Sequence, residues 1–178
     1  QMPQGILLKS SYEPNQNHKI LFSYRKYLNS LAGRNIDNDS YQLDYAYTPH
    51  SPYVNFSALV AYNYGRQKYN PNASFNSQSA IAGKTSKNSA ITLQAQNTLE
   101  FAFSQNLHYS LTLGINDLIN QYSHNLTLSD YAGAESIPFQ PKGLQNLFTV
   151  YADNNLSYKI FGIDFNLSGL RWDLIGHR

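Results

Sequence analysis

Polar and apolar residues alternate singly along most of this chain. Over 40–48 one parity holds Tyr41, Leu43, Tyr45 and Tyr47, and the other holds Ser40, Gln42, Asp44, Ala46 and Thr48. Pro49, His50, Ser51 and Pro52 interrupt the run. It resumes over 54–64 with Val54, Phe56, Ala58, Val60, Tyr62 and Tyr64 on one parity and Asn55, Ser57, Leu59, Ala61 and Asn63 on the other. A period of two puts successive side chains on opposite faces of a strand. The stretch therefore predicts two strands joined by a turn, each apolar on one face and polar on the other.

The same period predicts strands over 6–12, 18–28, 89–103, 107–115, 143–158 and 161–172. On 89–103, Ile91, Leu93, Ala95, Leu99, Phe101 and Phe103 share a parity, and Thr92, Gln94, Gln96, Thr98 and Glu100 share the other. On 161–172, Phe161, Ile163, Phe165 and Leu167 face together, but Leu170 and Trp172 fall on the opposite parity. A β-bulge near Ser168 and Gly169 is expected to restore the facing and turn Arg171 inward. All seven prolines are expected outside the strands, as a sheet without free edges requires.

The connections are expected to alternate short and long, with polar loops over 32–38, 65–88 and 116–142. Short turns at one end and long loops at the other are the mark of a membrane β-barrel. A soluble sandwich also alternates, with its apolar face inward. Two details favour apolar side chains turned outward to lipid: an acid and amides stand mid-strand on the polar parity, and tyrosines gather toward the strand ends. Each strand is about as long as a tilted crossing, roughly 9–11 residues. The expected fold class is all-β, an antiparallel transmembrane β-barrel segment of about eight meander strands. Both termini fall on the long-loop side, whereas complete barrels of this kind begin and end at the other. The strands are therefore expected to be part of a larger barrel, with residues 1–178 forming one stretch of its wall.

Composition supports this reading. Charged residues make up 13% of the chain, about half the usual share. Tyr supplies 15 residues and Phe 9, yet no window is long and apolar enough for a membrane helix. A net charge of +2 gives no basic excess, so no nucleic-acid partner is expected. The absence of cysteine excludes disulfides and thiolate metal sites. No signal peptide is visible and the first residue is Gln1, which points to a start inside a longer protein.

At Gly169-Leu170-Arg171-Trp172-Asp173 the chain resembles the Gly-Leu-Arg-Tyr-Asp segment that ends a mid-barrel strand in TonB-dependent outer-membrane receptors, with Trp172 in place of the usual Tyr. The hairpin of 147–158 and 161–172 resembles the aromatic-rich hairpin before that motif. The run from Ile36 to Tyr45 with its Pro-bearing turn, and Gln94-Ala95-Gln96-Asn97-Thr98, are similar to the haem and haemoglobin receptor branch. The likeness covers roughly residues 5–173. It implies a roughly 22-stranded barrel closed by an N-terminal plug and driven by the inner-membrane TonB complex, with plug and TonB box both outside this sequence. It also implies an outer-membrane location, lipid as a neighbour, and uptake of an iron carrier, most simply haem or haem from haemoglobin, as cargo rather than cofactor. No chemistry on the cargo is expected, and no catalytic or metal site.

Candidate ligand contacts are Tyr122, His124 and Tyr131, placed in the longest loop, since outer-loop His and Tyr can ligate haem iron. A solvated loop histidine is the plainer alternative. Gln42, Asp44, Asn55, Ser57, Gln94, Gln96, Glu100 and Asp164 are expected to face the lumen, either touching plug and solute or simply wetting the wall. Arg25 and Arg171 are candidates to pair with inward acids. His108 and Ser110 share a face, as the pair of a barrel phospholipase would, but no third orienting residue is evident. Asp37-Asn38-Asp39 lacks the Gly and Glu of a calcium loop. The rival readings are a passive porin or small complete barrel, a barrel lipid hydrolase, and a soluble calyx.

Overall fold

The computed structural model describes residues 3–31, 33–71, 82–125 and 142–176. Eight strands follow one another: β1 (Gln4–Asn15), β2 (His18–Leu31), β3 (Arg34–Tyr47), β4 (Phe56–Tyr69), β5 (Thr85–Ser104), β6 (Leu107–His124), β7 (Gly143–Tyr158) and β8 (Phe161–Gly176). They form one antiparallel sheet in chain order, each strand paired with the next. The meander follows from a chain rich in Tyr, Phe, Leu and Ile at alternate positions and broken by short polar segments.

Among the described residues no second layer covers either face. Among those same residues the interior amounts to Tyr69, Gly114 and Asn154, and side chains such as Leu43, Val60, Leu93 and Val150 are between 41% and 49% exposed. A soluble sandwich buries such residues against a second sheet. Here they lie open, and the dry-centred alternative is excluded for the described residues.

The strands run further than the alternation of apolar residues. β3 begins at Arg34, β4 ends at Tyr69, β5 begins at Thr85 and β6 ends at His124, so much of the three expected polar loops is strand. Backbone pairing needs no apolar side chain where water covers both faces, so the ladder continues after the alternation of apolar residues has stopped. The length rule needs correction at two places. β2 and β3 are joined by residues 32–33 alone, with Gly33 at φ 88°, where a long loop was expected. β3 and β4 are joined by residues 48–55 at the end of the otherwise tight turns. The two longest connections, 70–84 and 125–142, do lie at the same end of the sheet.

Two further expectations fail. Pro14 lies inside β1, where the register shifts between Tyr12 and Asn15; β1 is an edge strand, and a missing N–H costs little at an edge irregularity. No bulge occurs near Ser168. The β7–β8 register runs unbroken from Tyr158↔Phe161 to Gly143↔Gly176, so Leu170, Trp172 and Leu174 share the polar face and Arg171 and Asp173 the other. Arg171 donates from Nε to Asp173 at 2.9 Å, and this pair replaces the expected inward contact.

Candidate functional site

Cross-strand partners share a face, so the register sorts every strand residue onto one of two surfaces. One carries a band of apolar side chains: Leu43, Val60 and Leu93 stand in a single row across β3, β4 and β5. Aromatic side chains mark both margins of the band. At the margin toward the two longest connections, hereafter the upper end, Tyr24 and Tyr41 lie 4.9 Å apart and Tyr41 and Tyr62 6.4 Å apart. At the lower end His18 stacks on Tyr47 at 4.5 Å, and Phe101 packs near Tyr53 and Tyr109 at 6.0 Å each.

The band is slanted relative to the strands. On β3 it runs from Tyr41 to Tyr47, and on β8 from Phe161 to Leu167. The register carries Tyr41 across to Asp173 and Tyr47 to Leu167. Both margins have thus moved six residues along the strand while crossing five strand intervals. At about 3.4 Å per residue and about 4.8 Å per strand, the strands cross the band roughly 40° from its normal, within the roughly 35–45° tilt of membrane barrels. The slant also explains the missing bulge: beyond Leu167, β8 has left the band, so its polarity changes without any change of facing.

Above the upper margin the same surface becomes charged. Lys26 lies 3.3 Å from Asp39 and 3.4 Å from Asp37, and Arg66 lies 3.5 Å from Asp37. The Tyr24 hydroxyl donates to Asp39 at 2.7 Å, and with Lys26 it holds that carboxyl below the ordinary carboxylate range. The hydrogen bond from Lys26 to Asp39 in turn holds the Lys26 ammonium above its usual value. Asp37 and Asp39 are thus engaged with cations rather than arranged as a calcium loop.

The opposite surface is polar. Gln42, Asp44, Ser57, Gln94, Gln96, Glu100 and Asp164 all fall on it by register. Gln42 donates to both Asp44 oxygens at 2.9 Å, Asn155 donates to Asp164, and Thr98 and Thr112 share a hydrogen bond of 2.8 Å. Asn55 precedes β4, and its N–H donates to the Asn97 side chain at 3.1 Å. Arg25 is on this face and forms no ion pair among the described residues. His108 and Ser110 share the face near its lower end, and no hydrogen bond joins their side chains.

At the upper end of the polar face lies a hollow of about 590 Å³ bordered by Tyr122, His124, Asn38, Gln145, Trp172 and Leu174. His124 is the last residue of β6 opposite Ser86, and Tyr122 pairs with Asn88 and Gly143. Both are therefore fixed by a strand rather than carried on a loop. Tyr131 lies outside the described residues. Trp172 and Leu174 were missed because the expected bulge assigned Trp172 to the apolar face; the change of parity after Leu167 was the available signal. The hollow presents an imidazole, a phenol and an indole to one space, a set suited to a flat aromatic ligand or a metal-bearing ring.

A single sheet with an apolar band outside, a polar surface inside and tilted strands defines a stretch of barrel wall. No family model matches the chain. In sequence it is 28% identical, over 192 aligned positions covering 91% of the chain, to a protein of Haemophilus influenzae named as a probable TonB-dependent receptor. In structure it matches the Serratia marcescens hemophore receptor HasR, solved as a double mutant in complex with its hemophore HasA and heme, with a TM-score of 0.75 over 97% of the chain at 15% identity. The chain spans 21% of the first protein and 25% of the second. The resemblance to TonB-dependent receptors is upheld by both: the first carries it in sequence, and the second shows the barrel fold. Both relatives are named as receptors and neither as an enzyme.

Proposed function

We propose that this chain is part of the wall of an outer-membrane TonB-dependent receptor that takes up an iron carrier, with haem or haem drawn from haemoglobin as the cargo. The observation that carries the reading is the slanted apolar band backed by a polar face, in a chain whose relatives in sequence and structure are both receptors. The band would face lipid, and the polar face the lumen and a plug. Further strands would pair with β1 and β8, because open ladder edges are not tolerated in lipid. The hollow beside Tyr122, His124 and Trp172 would then lie at the extracellular mouth, where a haem-bearing partner arrives. The HasR complex, which holds a hemophore and heme, favours this cargo over other iron carriers.

The β1 and β8 edges, unpaired among the described residues, disfavour a small complete barrel, and relatives named as receptors rather than enzymes disfavour a lipid hydrolase. The reading is tested with the full receptor expressed in an iron-starved Gram-negative host that lacks its own haem receptors. Growth on haem or haemoglobin that depends on an intact TonB complex is expected. Growth independent of TonB would identify a passive pore, and growth only on other iron carriers would remove haem as the cargo.

A further inference from the structure

Where β6, β7 and β8 run above the apolar band, the polarity of the two faces changes over. The surface that bears the band acquires Asp117, Asn146, Arg171 and Asp173. On the opposite face Asp153, Asp164, Asn166 and Ser168 give way to Leu118, Leu147, Leu170, Trp172 and Leu174. Leu118, Leu147 and Trp172 stand in one row across the three strands, and Leu170 and Leu174 flank Trp172 along β8. Leu170, Trp172 and Leu174 are 67%, 61% and 66% exposed.

A lumen wall needs only polar side chains, and a contiguous exposed apolar patch marks a surface that is covered in use. A further strand paired with β8 would satisfy its backbone edge and leave this face open. The patch is continuous with the hollow at the upper end, because Trp172 and Leu174 border both. It extends two strand intervals from Leu118 to Trp172, about 10 Å, and about 14 Å along β8 from Leu170 to Leu174. That area suits a flat ring system laid against the wall, and is too broad for one inserted side chain. Its neighbours on the same face of β7, Gln145 and Thr149, carry no charge, so nothing there recognises a polar, anionic chelate.

We propose that Leu118, Leu147, Leu170 and Trp172 form an apolar ledge, just below the hollow, that takes one face of a flat macrocyclic ring. This rests on the receptor reading above and deepens it: the cargo is selected by the apolar area of its ring, independently of any metal the ring carries. The indole stacks on the ring, and the three leucines remove the rest of that face from water. A hydrophilic iron chelate offers no such face and gains nothing from the ledge.

The test measures equilibrium binding to the full receptor of two probes, metal-free protoporphyrin and a ferric hydroxamate chelate. Wild type is expected to bind the metal-free ring and not the chelate. L118Q/L147Q is expected to bind the ring at least about ten-fold more weakly, L118M/L147M to behave as wild type, and His124→Ala, which removes only a metal-ligating group, to leave ring binding unchanged. Unchanged ring binding by L118Q/L147Q overturns the proposal; if that variant instead loses stability, the ledge belongs to an apolar segment of a plug. Failure of wild type to bind the metal-free ring, or equal binding of the hydroxamate chelate, also overturns it. None of these results touches the receptor reading, which falls only if TonB-dependent growth on haem fails.

Discussion

Tyr151 of β7 lies over Gly114 of β6, filling the space that a side chain at position 114 would need, and its hydroxyl donates to Gln96 of β5 at 2.7 Å. One aromatic ring thus ties three strands together on the polar face, and the glycine is the seat that allows it. A β-carbon at position 114 would overlap the Tyr151 ring.

Gly114→Ala is accordingly expected to displace Tyr151, break its bond to Gln96 and cost about 1–3 kcal/mol. Tyr151→Phe keeps the ring and loses only the hydrogen bond, at about 0.5–1.5 kcal/mol. Urea unfolding of the full receptor in lipid vesicles measures both, and a Gly114→Ala loss no larger than that of Tyr151→Phe would show that the ring can move aside freely.

Val60 stands near the middle of the apolar band and Ala61 on the opposite face. Val60→Arg should cost about 2–4 kcal/mol, the expected penalty for a cation at the bilayer midplane, and Ala61→Arg far less. Leu93→Arg is a weaker probe, because Leu93 stands opposite Asp117, which can partner the new cation. Equal losses for Val60→Arg and Ala61→Arg would contradict the assignment of the two faces.

Leu43 and Arg171 belong to one register row, yet the slant puts Leu43 inside the band and Arg171 above it. Single cysteines at these positions should react differently with a membrane-impermeant maleimide added outside intact cells. Arg171→Cys and Asp173→Cys are expected to label, and Leu43→Cys and Phe165→Cys to stay protected. If Leu43→Cys and Arg171→Cys label alike, the band follows the rows and the strands are not tilted.

His124→Ala and Tyr122→Phe remove groups from the hollow at the upper end of the polar face. Each is expected to weaken haem binding by the full receptor about ten-fold, equivalent to about 1.4 kcal/mol. His108→Ala, near the lower end of the same face, serves as the control and should leave binding unchanged. Spectroscopic haem titration reads all three, and identical affinities would place the cargo elsewhere.

The alternation of Tyr41, Leu43, Tyr45 and Tyr47 with Gln42 and Asp44 was enough to determine strands, their order of facing and the all-β class. A period of two is a local property, written residue by residue into the chain. So was the sharing of one face by Gln42, Asp44, Ser57, Gln94, Gln96, Glu100 and Asp164, since each follows from the parity of its own strand; Asn55 precedes β4. Position along the strand was not legible in this way. Whether Trp172 shares a face with Leu167 depends on whether a bulge lies between them, and that is decided by the pairing of β8 with β7. Only the paired register showed that no bulge intervenes, that His124 closes a strand beside Trp172, and that Arg66 meets Lys87. These relationships join residues fifteen or more positions apart, and hydrogen-bonded ladders bring them together, not any preference of the residues themselves.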